Sequence, residues 1–123
     1  MKRCLILSDS FKGTLSSPDI CHIARSLHIS GWHIDALPVA DGGEGTTDCF
    51  LDACGGQRIA LPVSGPFGGT IDGFYGLLPD GTAVVEMAAA AGLPQVIGEK
   101  NPETTTTSGV GELLVHAAHH GAK

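Results

Sequence analysis

The sequence lacks the surplus of basic residues that a nucleic-acid backbone requires: 7 Lys and Arg stand against 13 Asp and Glu, a net charge of −6. That balance excludes nonspecific binding to DNA or RNA. It leaves nucleotides open, because backbone amides and a metal ion can hold them. Long apolar runs are lacking too, since Gly, Pro or Asp interrupts each of them, so no segment reaches the length of a membrane span. The apolar start Cys4–Leu7 is too short for a signal peptide, and no small-residue cleavage site follows it. The four cysteines (Cys4, Cys21, Cys49 and Cys54) form no CxxC pair and no zinc spacing. Cysteine among apolar neighbours behaves as a small hydrophobe, so reduced thiols and a cytoplasmic location are expected. No GxGxxG is present, no Gly-Lys-Ser/Thr closes a P-loop, and there is no repeat or low-complexity tract.

Glycine is abundant, with 18 in 123 residues, and it clusters at Gly42–Gly45, Gly65–Gly69 and Gly109–Gly111. Such clusters serve sharp turns or close approach of backbone to a ligand. A content of 42% hydrophobic and 16% charged residues reads as globular, and the length can bury a core without a disulfide or metal staple.

The opening reads as strand, helix, strand. Arg3–Ser8 is a continuous apolar run, as in a strand covered on both faces. A helix opens at Ser17, whose hydroxyl can cap it, with Pro18 at its first position. Ile20, Ile23, Ala24 and Leu27 then mark its buried face, Gly31 stops it, and His33–Val39 forms the second strand. This order favours a parallel crossover unit. A second helix runs to about Cys54 and ends at Gly55-Gly56. The strands Gln57–Val63, Thr70–Leu78 and Thr82–Met87 follow, joined by Gly and Pro turns that suggest antiparallel pairing. Ala88–Ala91 is a short helix, and a last helix from Ser108 to Gly121 carries Val110, Leu113, Leu114 and Ala117 on one face.

Two loops carry the chemistry. Asp41-Gly42-Gly43-Glu44-Gly45-Thr46-Thr47 joins a strand end to a helix start, where unshielded N–H groups and the helix dipole attract anions. Its carboxylates, Asp41 and Glu44, are poor partners for bare phosphate and make sense with Mg²⁺ between them. The same residues would also serve as a tight turn with Glu44 favoured by the helix dipole. Asp9-Ser10-Phe11-Lys12-Gly13-Thr14 leaves the first strand at the same sheet edge. There Lys12 could neutralise phosphate or a substrate carboxylate, Ser10 and Thr14 could donate hydrogen bonds, and Asp9 could act as base or metal ligand. Thr104–Thr107 with Ser108, Gly109 and Gly111 reads as a helix cap or an anion pocket. His116, His119 and His120 could form a surface metal site, though no acidic or Cys partner completes it. Glu86 is either a buried carboxylate or one that reaches the surface.

Taken together the segments resemble the bacterial glycerate kinase family. The matching stretches are Asp9–Gly13 with Leu15-Ser16, Pro38–Thr46, Gly65–Gly68, Glu86–Ala90, Asn101-Pro102 and Gly109–Leu113. The resemblance implies an α/β fold of two domains, a Rossmann-like parallel-sheet portion (1–56) followed by a smaller, mixed β-rich region (57–123). It implies that ATP and Mg²⁺ phosphorylate D-glycerate in the cleft between them, with no nucleic-acid or membrane partner. By position in the motifs, Asp41 is the first choice for catalytic base or metal ligand, with Glu44 assisting it at the metal and Lys12 beside it in catalysis. Asp9, Ser10, Gly42, Gly43, Gly45 and Thr46 would contact substrate or phosphate. The chain departs from the family pattern at Ser8, Ala91 and Ser108, and a later glycine-rich segment of the site is absent. The chain alone is therefore expected to be inactive, and a noncatalytic remnant, an interaction module or another phosphate-binding domain are the competing readings.

Overall fold

A computed structural model describes residues 1–96, 98 and 101–123. Strand β1 (Lys2–Ser8), helix α1 (Ser17–Ser26) and strand β2 (Trp32–Pro38) form the expected parallel unit. The two strands pair in parallel from Lys2↔Trp32 to Ser8↔Pro38, so their carboxyl ends lie side by side. The cap of α1 falls one residue earlier than the sequence suggests. Ser16 accepts the Asp19 N–H at 3.2 Å, and the Asp19 carboxylate takes the Ser16 N–H at 3.3 Å, a reciprocal capping box. Ser17 is left to make different bonds. Its buried hydroxyl donates to the Ser8 carbonyl at 2.6 Å and accepts the Val39 N–H at 3.0 Å. One side chain thereby ties the ends of both strands to the start of the helix.

The buried face of α1 is Ser17, Cys21 and Ala24, packed on Ile6 and Ala36. The expected face of Ile20, Ile23, Ala24 and Leu27 is corrected: Ile23 and Leu27 are about half exposed. Small residues let the helix approach a two-stranded sheet closely, which the larger ones would prevent. Nor is β1 covered on both faces. The face away from α1 leaves Leu5, Leu7 and Leu37 59%, 56% and 52% exposed.

The second sheet is antiparallel, β3 (Gln57–Ser64), β4 (Thr70–Leu77) and β5 (Ala83–Val84), in that order. Helix α2 (Thr46–Cys54) packs on β4 and β5, while α3 (Ala88–Ala91) packs on β4 and α4 (Ser108–His119) on β3 and β4. Two glycines of β4 make this layering work. A Cβ on Gly76 would meet Thr47 and Leu51 of α2, and one on Gly73 would meet Leu113 of α4. Residues three apart on a strand face opposite sides, so the sheet is sandwiched between α2 and α4. The core proper lies on the α4 side: Val63, Tyr75, Ala89, Ala90, Val110, Leu113 and Ala117. Leu114, expected on the buried face of α4, is exposed.

The third strand is much shorter than the expected Thr82–Met87. Only Ala83 and Val84 pair, because Glu86 leaves the ladder and turns its carboxylate into α2. Helix α4 meets the end of β3 equally tightly. The Ser64 N–H reaches the Glu112 carboxylate at 3.0 Å, and hydrogen bonds from Ser64 hold that carboxyl below its ordinary range. A Cβ at Gly109 would stand 2.0 Å from the Ser64 carbonyl oxygen, so only glycine fits. Gly109→Ala is expected to lower unfolding free energy by about 1–3 kcal/mol, the usual cost of overpacking. A urea titration measures it, and an unchanged midpoint would show that the helix start can shift freely.

Candidate active site

The loop 9–16 after β1 is a tight turn closed by Phe11 and Leu15, whose backbones bond reciprocally at 2.9 and 3.2 Å. Thr14 N–H and hydroxyl both return to the Phe11 carbonyl, at 2.9 and 2.8 Å, and Gly13 takes φ +78°. These bonds leave exposed Lys12 at the tip. The Thr14 hydroxyl is thus committed to the turn. At the base, the Asp9 carboxylate accepts the Ser10 N–H at 2.7 Å.

The loop 40–45 after β2 uses glycine at two positive φ values, +97° at Gly42 and +90° at Gly45. Several donors here and at the start of α2 are already taken. The Gly43 N–H goes to Asp41 Oδ1 at 2.9 Å, and the Thr46 N–H and hydroxyl go to the Gly43 carbonyl at 3.2 and 2.8 Å. The Gly45 N–H reaches Glu86 Oε1 at 3.3 Å and the Thr47 N–H reaches Glu86 Oε2 at 2.8 Å. The N-terminus of α2 therefore already holds an anion, a side chain of this same protein that is 4% exposed. From the sequence, Glu86 stands open between burial and surface; burial is the outcome. Its signal was its place at the end of an apolar strand, and the partner it finds 39 residues earlier had none.

Between the two loops and the second sheet runs a cleft of about 510 Å³, a volume typical of small-molecule sites. Of the residues singled out in the sequence, Asp9, Ser10, Lys12, Glu44 and Gly45 line it together. Asp41, Gly42, Gly43 and Thr46 stand in the adjoining turn and do not line it. The second sheet contributes two residues that sequence patterning gave no reason to choose, Arg58 and Phe74, and Glu86, already singled out, joins them from just beyond β5. So do Asp48 and Cys49 of α2 and Gln95, whose Oε1 is one of two buried side-chain oxygens without a partner among the described residues. Arg58 ion-pairs with Asp48 at 2.6 Å and lies 3.6 Å over the Phe74 ring.

For Mg²⁺ the chemistry of the donors is suitable. Magnesium is held through one or two carboxylates plus substrate phosphates, and Asp9 and Glu44 offer carboxylates to the cleft. Among the described residues no group of three or more His, Cys, Asp or Glu forms a metal cage. The histidines of α4 are likewise not a chelate: the rings of His116 and His120 stack at 3.9 Å and 19°. Imidazole ligates in its ring plane, so stacked rings cannot aim both lone pairs at one ion. His116 Nδ1 instead sits 3.2 Å from the buried Tyr75 hydroxyl. Before α4, Thr106 Oγ1 accepts the Ser108 N–H at 3.1 Å in a local turn, while Thr107, the N-cap residue, makes no side-chain capping bond.

Paired loops at the carboxyl ends of parallel strands, facing a cleft bordered by a second sheet, stand where open α/β sheets generally bind ligands. Known relatives narrow the class. The sequence pattern of the glycerate kinase family matches residues 4–123, and the chain belongs to that family. It is 44% identical to a glycerate kinase from Bacillus subtilis over 98% of this chain and 33% of that protein. It is 37% identical to the glycerate 2-kinase of Escherichia coli, again over 98% of this chain and 33% of the relative. A crystal structure named as a candidate glycerate kinase 2 from Salmonella typhimurium LT2 superposes with a TM-score of 0.76 at 37% identity, covering 99% of this chain and 34% of that one. The chain thus spans about a third of the length of the relatives it matches.

The cleft cysteine is not an activated nucleophile. Burial raises the Cys49 thiol above its ordinary pKa, the Ser17 hydrogen bond opposes this, and Asp52, Asp48 and Asp9 raise it further. Iodoacetamide at a pH of about 7.5 is expected to label exposed Cys54 well before Cys49. Peptide mass spectrometry over time reads this, and faster labelling at Cys49 would contradict the assignment.

Proposed function

We propose that this chain, as part of a longer glycerate kinase, transfers the γ-phosphoryl group of ATP to a hydroxyl of D-glycerate. The observation that carries the reading is the cleft that unites Ser10 and Lys12 of one family motif with Glu44 and Gly45 of another. Phosphoryl transfer asks for positioning and charge neutralisation more than for covalent chemistry. Lys12, on an exposed tip, meets the negative charge of phosphate or carboxylate, and Ser10 donates a hydrogen bond to the same ligand. Asp41 directs Oδ1 to the Gly43 N–H, which fixes its carboxylate and leaves Oδ2 to take the proton of the attacking hydroxyl or to face a metal. Gly42, Gly43 and Thr46 contribute by shaping that turn. Glu44, which lines the cleft, would hold Mg²⁺ together with Asp41 of the adjoining turn or with Asp9 across the cleft, and the metal would supply neutralisation of the phosphate oxygens when bound. As the hydroxyl oxygen bonds to phosphorus, the bond to the bridging oxygen of ADP breaks.

A cytoplasmic location belongs to the same proposal, in keeping with ATP as donor. A second reading, an interaction module, has one observation in its favour: the apolar face formed by Leu5, Leu7 and Leu37. Coupled detection of ADP with ATP, Mg²⁺ and D-glycerate separates the two. Residues 1–123 alone are expected to give no glycerate-dependent turnover, and the longer enzyme to give it. In the longer enzyme Asp41→Asn should lower kcat at least about 10²-fold, the scale of general-base catalysis, with the melting temperature held. Normal kcat in that variant would remove Asp41 from the mechanism and move the role to Asp9.

A further inference from the structure

The cleft is poor in positive charge for a site that must hold anions. Four carboxylates line it, those of Asp9, Glu44, Asp48 and Glu86, and among the described residues only Lys12 and Arg58 oppose them. Lys12 sits on the β1 side and Arg58 on β3, across the cleft. Desolvating an incoming oxyanion is costly unless it lands on one of the two.

Arg58 is built for that landing. Its guanidinium lies 3.6 Å over the face of Phe74, which fixes the plane of the fork. One nitrogen, Nη1, donates to Asp48 Oδ1 at 2.6 Å, and no other hydrogen bond from this side chain is made among the described residues. Guanidinium carries five N–H donors in a rigid fork that matches carboxylate and phosphate oxygens in pairs. Most of those donors are therefore unused on a half-exposed side chain at the wall of the cleft. The tie to Asp48 holds the group in place without consuming it, because an ion pair exposed on both sides contributes little and exchanges readily. Asp48 also belongs to the first turn of α2, so the fork is referenced to the same helix start that Glu86 secures.

We infer that Arg58 is an oxyanion-binding residue of the cleft, receiving the carboxylate of the hydroxy acid or a phosphoryl group, with Asp48 holding the guanidinium ready for exchange. Naming the anion rests on the kinase reading; the fork's readiness for a planar oxyanion does not.

The test is a nuclear magnetic resonance titration of the ¹⁵N-labelled chain with D-glycerate and, separately, inorganic phosphate, at constant ionic strength. Arg58 Nε–H and the Phe74 ring should move on titration. Arg58→Gln should bind at least about tenfold more weakly, the loss expected for a charge-assisted bond. Asp48→Asn, which removes the competing carboxylate, should bind more tightly than the parent. Arg58→Lys keeps the charge and loses the fork and its stacking, so it should recover only part of the affinity. Urea midpoints of all variants guard against misfolding. A merely structural tie predicts that Arg58→Gln and Asp48→Asn lower the midpoint alike and leave anion affinity unchanged, and that result overturns the inference. So does an absence of binding by the parent chain. A preference for glycerate identifies the carboxylate, and a preference for phosphate the phosphoryl group. Glycerate turnover unimpaired by Arg58→Gln in the longer enzyme would remove Arg58 and spare the kinase reading. Anion binding at Arg58 in an enzyme that ignores glycerate would do the reverse.

Discussion

The carboxylate of Glu86 on the backbone of residues 45–47 is the contact on which the arrangement turns. A carboxylate buried this deeply is costly unless its oxygens are satisfied, and no Lys or Arg is bonded to it among the described residues. Two peptide N–H groups and the positive end of α2 supply what a cation otherwise would. Hydrogen bonds to a charged group contribute about 1.5–3 kcal/mol each, which makes this pair a sizeable part of a small protein's margin. The cost is visible in the sheet: β5 ends after Val84 so that Glu86 can turn away from the ladder.

From that contact the geometry of the cleft follows. Helix α2 is held against β4 and β5, where Gly76 gives Thr47 and Leu51 room to approach. The glycine-rich loop is therefore stretched between the end of β2 and a helix that packs on the other sheet. Its left-handed glycines and the Asp41–Gly43 turn accommodate that path. On the other side, Ser17 fastens the ends of β1 and β2. The two loops face one another because each is anchored at its base, and the cleft between them opens onto Arg58 and Phe74.

Much of this was legible in the sequence where local rules govern. The parallel start, the glycine end of α2 at Gly55 and the antiparallel strands all follow from apolar periodicity and turn residues. The family was legible because its motifs are runs of residues whose order is specific. What could not be read depends on partners distant in the chain. Ser16 and Ser17 are both sensible caps, and only the nearness of Ser8 and Val39 decides that Ser17 bridges strands instead. A period of about 3.6 residues cannot tell the Cys21 face of α1 from the Ile23 face, because the choice depends on how close the sheet lies. Helix α2 follows β2 in order yet packs on the second sheet, a choice set by Glu86 and Gly76. Arg58 shows the same limit: a lone arginine at a strand start has no pattern, and its place beside Asp48 and Phe74 exists only in three dimensions.

The central role given to Glu86 is open to direct measurement by amide hydrogen exchange in Glu86→Gln and Glu86→Ala. The glutamine keeps an acceptor without charge, and the alanine leaves the Gly45 and Thr47 N–H groups without a partner. Exchange at Thr47 and through the first turn of α2 should accelerate in the order parent, Gln, Ala, by at least about tenfold in Ala for the loss of one charge-assisted bond. Amides of β1 and β2 should keep their parent rates. Unchanged protection of Thr47 in Glu86→Ala, or an equal loss throughout both sheets, would contradict the account.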